Sequence, residues 1–105
     1  MKIYKVVVTA DAKADLKRYR DYLINVKKSS QAAKNVVLDF RNTRKQLETV
    51  AGSLADPQSD ALNERRLKRI NFLKHDYFLL FRVDGNKVYV TNMFHQREDF
   101  ENKLR

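Results

Sequence analysis

Asp76-Tyr77-Phe78-Leu79-Leu80-Phe81-Arg82-Val83-Asp84-Gly85-Asn86-Lys87-Val88-Tyr89-Val90 decides the fold of this chain. Tyr77, Leu79, Phe81 and Val83 alternate with Phe78, Leu80 and Arg82, which is the two-residue period of a strand with two distinct faces. Asp84-Gly85-Asn86 carries hairpin-turn chemistry, since glycine reaches the positive φ such turns require. The stretch is therefore predicted to be a β-hairpin. The run Arg66-Leu67-Lys68-Arg69-Ile70-Asn71-Phe72-Leu73 supplies one more strand before it, with Ile70 and Phe72 on one face and Leu67, Arg69 and Asn71 on the other.

Working outward, Ile3 to Val8 is short, β-branched and apolar, and reads as a first strand. Its valines predict burial on both faces, hence a central or well-covered position. Thr9 offers an N-cap oxygen, with Asp11 placed to meet the helix dipole. Ala12, Leu16, Tyr19, Leu23 and Val26 then recur at helical spacing. Lys27-Lys28-Ser29-Ser30 ends that helix and caps the next. In the second helix Ala33, Val36, Val37, Phe40, Leu47, Ala51 and Leu54 form one stripe, and Asp56-Pro57-Gln58-Ser59-Asp60 reads as a loop. The order is βααβββ. It predicts one α+β domain over residues 1–105, with a helical hairpin on one face of a small antiparallel sheet and the other face partly open. Glu98 to Leu104 reads as a short final helix or a tail.

The chain has 105 residues, a formal net charge of +9 and no cysteine. Without cysteine there is no disulfide framework and no thiolate metal site, which fits a reducing, cytoplasmic setting. The longest apolar runs, such as Tyr77 to Phe81, fall far short of the roughly 20 residues a membrane span needs. The first residues run straight into a strand pattern and do not read as a leader peptide. The basic excess is spread over both halves and predicts an anionic partner: nucleic acid, a ribosome or an acidic protein segment. Two glycines leave no phosphate-cradling loop, and two separated histidines make no zinc pattern. No cofactor or metal is expected.

The element order, the length, the Tyr77–Val90 hairpin with its Phe81-Arg82-Val83-Asp84 core, and the ending His95-Gln96-Arg97-Glu98-Asp99-Phe100 together resemble the RelE/ParE superfamily of bacterial toxins. That resemblance implies the toxin half of a type II toxin–antitoxin pair. The implied partner is a cognate antitoxin whose flexible segment wraps the toxin. A basic, half-open sheet face would accept an acidic amphipathic segment that folds on binding. The implied target is either ribosome-bound mRNA, cut by RelE-like members, or DNA gyrase, poisoned by ParE-like members.

A metal-free ribonuclease needs a base for the 2′-hydroxyl, cations for the phosphate and an acid for the leaving oxygen. Carried over by position, the resemblance offers Arg69 on the second strand, His95 and Arg97 after the fourth, and Asn71 beside Arg69. The third-strand position where nucleases carry an arginine holds Phe78, and the terminal tyrosine position holds Phe100. Losing one phosphate-clamping cation costs about 3 kcal/mol of transition-state stabilisation. The departures favour the ParE-like, gyrase-directed reading. The alternatives are a RelE-like nuclease using Arg69, His95 and Arg97, or an inactive antitoxin-bound autoregulator. Leu67, Arg69, Asn71, Phe78, Leu80, Arg82 and Arg97 are the expected contact surface for target or antitoxin, since apolar residues ringed by arginine suit a protein partner. His75 is expected to face solvent in a hairpin turn.

Overall fold

The computed structural model describes residues 2–103. Strand β1 spans Lys5–Val8, helix α1 Ala10–Asn25 and helix α2 Ser30–Val50. The Thr9 hydroxyl oxygen accepts the N–H of Ala12 at 3.3 Å and donates to the carbonyl of Val90 at 2.8 Å, so one side chain caps α1 and pins it to the sheet. Ser29 caps α2 in the same way, accepting from Ala32 at 3.1 Å. Ala33, Val36, Phe40, Thr43 and Leu47 form the buried stripe of α2. The 3₁₀ turn Ala51–Ser53 follows. A Cβ on Gly52 would sit 2.0 Å from the Tyr4 hydroxyl oxygen, so glycine is what lets buried Tyr4 pack there. On α1, Val26 is exposed, and the apolar stripe stops at half-buried Leu23.

Strands β2 (Lys68–Asn71), β3 (Tyr77–Asp84) and β4 (Lys87–His95) form an antiparallel meander, with Gly85 at φ +62° in the hairpin turn. The sheet order is β1-β4-β3-β2, and β1 pairs with β4 in parallel. The α+β class is as the sequence predicts, but the sheet is mixed. The chain leaves β1 through two helices and a long crossover, which permits a parallel return. Strand β1 is also an edge strand, and its valines are only half-buried. Between Leu80 and Phe81 the β3–β4 register slips past Thr91. This bulge reverses the phase of β4, so Val88, Val90 and Met93 all enter the same core despite the odd spacing.

The main core lies between the helical pair and one sheet face, where Tyr19, Phe40, Leu47, Ile70, Phe72, Tyr77, Leu79 and Phe81 meet. The opposite face is not open where the sequence reading had it so. A short helix α3, Asp60–Glu64, inserts Leu62 against Leu67, Phe78, Leu80 and Phe94 to make a second core, and Phe100 packs on its edge. Leu67, Phe78 and Leu80 are therefore buried instead of forming an exposed contact patch. Helix α3 begins at Asp60, the last residue of the predicted loop, and has no counterpart in the predicted order; Ser59 is its N-cap, accepting from Leu62 at 3.4 Å. It ends with Arg66 at φ +57°, where Leu67 N–H bonds the carbonyl of Leu62 at 2.9 Å. The expected C-terminal element is helix α4, Phe100–Lys103; Leu104 lies outside the described residues. Among the described residues no helix is long and apolar enough to cross a membrane.

The helical layer and the sheet are also joined by a buried charge. Asp39 on α2 is 3% exposed. Its carboxylate accepts the backbone N–H groups of Leu73 and Lys74 at 3.3 and 3.0 Å and lies 2.7 Å from His75 Nδ1. His75 is thus held by a carboxylate and half-buried, not turned freely to solvent. Asp39→Ala leaves the β2–β3 turn without its acceptor. It is expected to lower the unfolding free energy by about 2 kcal/mol, seen as a lower urea midpoint at unchanged slope.

Candidate functional site

The sheet sorts the candidate residues onto two faces. Arg69 pairs with Leu80 and Asn71 with Phe78, which puts both on the face of the second core. His95 pairs with Tyr77, whose ring belongs to the main core, and so lies toward the helices. Arg69, Arg97 and His95 are therefore not gathered at one point. Arg69 lines one cleft, and His95 and Arg97 line another.

The Arg69 cleft, about 580 Å³, runs between β2 and the segment 54–59, with Phe100 and Glu101 closing one end. The guanidinium lies over the Phe78 ring at 3.8 Å from its centroid and 6.0 Å from that of Phe100. Arg69 Nε donates to Asn71 Oδ1 at 2.9 Å. Burial pushes the Arg69 pKa below its ordinary value. Phe78 lies beneath the guanidinium and is fully buried. Its burial stabilises the fold by about 2 kcal/mol, whereas an unpaired guanidinium in that dry position would cost several times as much. Phe100 adds an edge-to-face contact to Phe78, with centroids 5.2 Å apart. Phe78 and Phe100, which the resemblance sets at the polar nuclease positions, thus build a cation–aromatic platform with Arg69.

The second cleft, about 520 Å³, is lined by Arg18, Tyr19, Tyr22, Leu23, Lys27, Tyr77, His95, Arg97 and Glu98. His95 Nδ1 accepts the backbone N–H of Arg97 at 3.1 Å, and its ring stands edge-on to Tyr77. That acceptor role leaves Nε2 as the ring nitrogen that carries the proton of the neutral imidazole. Arg97 itself is exposed.

Glu98, missed by the sequence reading, is the hub of this corner. Its carboxylate accepts the Tyr19 hydroxyl and the Lys103 ammonium, and the His95 N–H at 3.0 Å. Burial would raise its pKa, but the Lys103, Tyr19 and His95 donors outweigh that and hold it at about 2. Burial, reinforced by the Glu98 charge, pushes the Tyr19 phenol well above its ordinary range, so it remains the donor. Only an acid spaced to follow the strand end marked Glu98 in the sequence. Arg82, the remaining candidate, is exposed at the far end of β3, its guanidinium 4.9 Å from the Tyr89 centroid. Among the described residues no group of three or more His, Cys, Asp or Glu is placed to hold a metal ion.

The model of the family described as "ParE toxin of type II toxin-antitoxin system, parDE" matches residues 6–100. The fold is similar to a solved structure described as "Chromosomal ParDE TA system from P. aeruginosa". The two are 22% identical, the match covers 89% of this chain and 96% of that one, and the TM-score is 0.74. No curated protein matches by sequence.

The Glu98 hub has a pH signature. A carboxylate whose folded pKa is depressed contributes stability that is complete above its unfolded value and is lost as pH falls through the folded one. For Glu98 that window runs from about 4.5 down to about 2. Glu98→Gln should flatten the fall in melting temperature across that window while lowering stability at pH 7.

Proposed function

Because the chain belongs to the ParE toxin family of type II toxin–antitoxin systems, with a cognate antitoxin as its implied partner, we propose that it arrests growth by binding and poisoning DNA gyrase in the cytoplasm and does not cut mRNA. The observation that carries this reading is the separation of the candidate nuclease residues. Arg69 sits on one sheet face, over the buried Phe78. His95 and Arg97 sit in a different cleft, on the helix side. In-line cleavage needs base, cation and acid within about 3 Å of one phosphate. Nothing in this arrangement converges in that way, and His95 Nδ1 is already engaged by a backbone N–H.

A protein target asks for something different. It needs cations beside rigid aromatic surface, with hydrogen-bonding groups at the margin. Arg69, Asn71 and half-buried Phe100 provide this at the first cleft. Arg97 provides a second, exposed cation in the other cleft. The first role proposed for these residues is target contact. The antitoxin's acidic amphipathic segment suits the cleft of Arg18, Tyr22, Lys27 and Arg97, where three cations surround aromatic surface.

The deciding experiment incubates the purified chain with gyrase, ATP and relaxed plasmid, beside primer extension on an mRNA translated in a purified system. Loss of supercoiling, with linear plasmid released by detergent and protease and an intact message, is the expected result. Arg69→Ala should weaken the gyrase effect at least tenfold without unfolding the chain. Cuts inside A-site codons that require ribosomes would overturn the reading in favour of an mRNA-cleaving toxin.

A further inference from the structure

Among the described residues one strip of the sheet is left uncovered. The second core, under Leu62 and Phe100, shields only the β2 side of its face. Toward β1 the same face continues through Arg82 and Tyr89, which are paired across β3 and β4, and through Lys5 opposite Lys87 and Val7 opposite Tyr89 across β1 and β4. Lys5, Arg82 and Lys87 are exposed, and Val7 and Tyr89 are half-buried. On the reverse of these strands Val6, Val8, Val88 and Val90 face the main core, so the strip is rigidly backed.

Its electrostatics are unbalanced. Two lysines stand directly opposite each other on neighbouring strands, an arrangement that is unfavourable unless an anion lies between or above them. Among the described residues none of Lys5, Arg82 and Lys87 forms an ion pair, although Asp84 stands opposite Lys87 in the register. Arg82 spends its guanidinium on the Tyr89 ring. It also lines a cleft of about 350 Å³ with Thr91, Asn92 and Lys103, in which Asp11 is the one carboxylate.

We infer that this strip binds single-stranded nucleic acid. The Arg82–Tyr89 stack is a platform for a base, and Lys5 and Lys87 meet the flanking phosphates. Lys87 stands two residues along the strand from Tyr89, about 7 Å, within reach of the phosphate of a base stacked there. A flat sheet with an aromatic ring among cations is a surface on which unpaired bases stack irrespective of sequence. An acidic peptide would use the cations but not the π faces, and the strip offers it no apolar pocket beyond Val7. The inference goes beyond the gyrase reading and does not rest on it, because these residues lie outside both clefts used there.

The test is fluorescence anisotropy with the full chain and labelled 12-mers: single-stranded DNA, single-stranded RNA and duplex DNA of one sequence, over a range of salt. Three variants are compared, with circular dichroism melts to establish folding: Lys5→Ala with Lys87→Ala, Tyr89→Leu, and a charge-matched control, Arg41→Ala with Lys45→Ala, on the exposed side of α2. The strip double variant should bind single strands about tenfold more weakly and lose about 1.4 from the slope of log affinity against log salt. Tyr89→Leu should weaken binding about tenfold at unchanged slope. The control should change affinity less than twofold, and duplex should bind more weakly than either single strand. The relative affinity of the DNA and RNA single strands tells which nucleic acid the strip prefers. An equal loss in the control, tighter duplex binding, or binding of a poly-glutamate peptide at the strip without nucleic-acid binding would each overturn the inference.

Discussion

The carboxylate of Asp39 is the constraint on which the rest of the arrangement depends. It lies inside the protein, on the helical layer, and finds its donors at the turn between β2 and β3. A buried carboxylate without donors would be costly, so the hairpin is seated against α2 in one position. That seating puts Ile70, Phe72 and Tyr77 beneath Phe40 and Tyr19, with Phe72 and Tyr77 in ring contact. With β2 fixed, its alternate side chains, Leu67, Arg69 and Asn71, must project to the far face.

What the far face becomes is decided by two short segments. Leu62 on α3 and Phe100 on α4 each contribute one apolar side chain, and between them they turn an open surface into a second core. The charged side chains are sorted by this division. Arg69 is held against aromatic rings on one side, Arg97 and His95 frame a cationic cleft on the other, and Glu98 ties the chain between them to Tyr19. The candidate cations are thus divided between two clefts on different faces of the sheet. The proposed action on gyrase rests on this separation.

The caps, the helical stripes and the alternation of β3 were legible because each depends on near neighbours in the chain. Thr9 and Ser29 cap where their position says they should, and Tyr77, Leu79 and Phe81 face the main core together. The burial of Phe78, Leu80 and Leu67 was not legible. Their alternation says only that they share a face, and α3 is too short to show a helical period. The Ser59 cap was the one available signal, and Pro57, two residues before it, drew it into a loop reading. His75 was misjudged for a related reason: its partner Asp39 is 36 residues away.

By itself the sequence determined the order of the main elements, the α+β class, and the hairpin and its turn. Local spacing, propensity and side-chain chemistry suffice for those. Only the tertiary structure decided that β1 returns parallel at the edge, that the far face is half closed, and that Arg69 stands apart from His95 and Arg97. Each of these is set by which distant segments meet across the sheet. Such meetings are governed by burial and by charge pairing between residues that no local pattern connects.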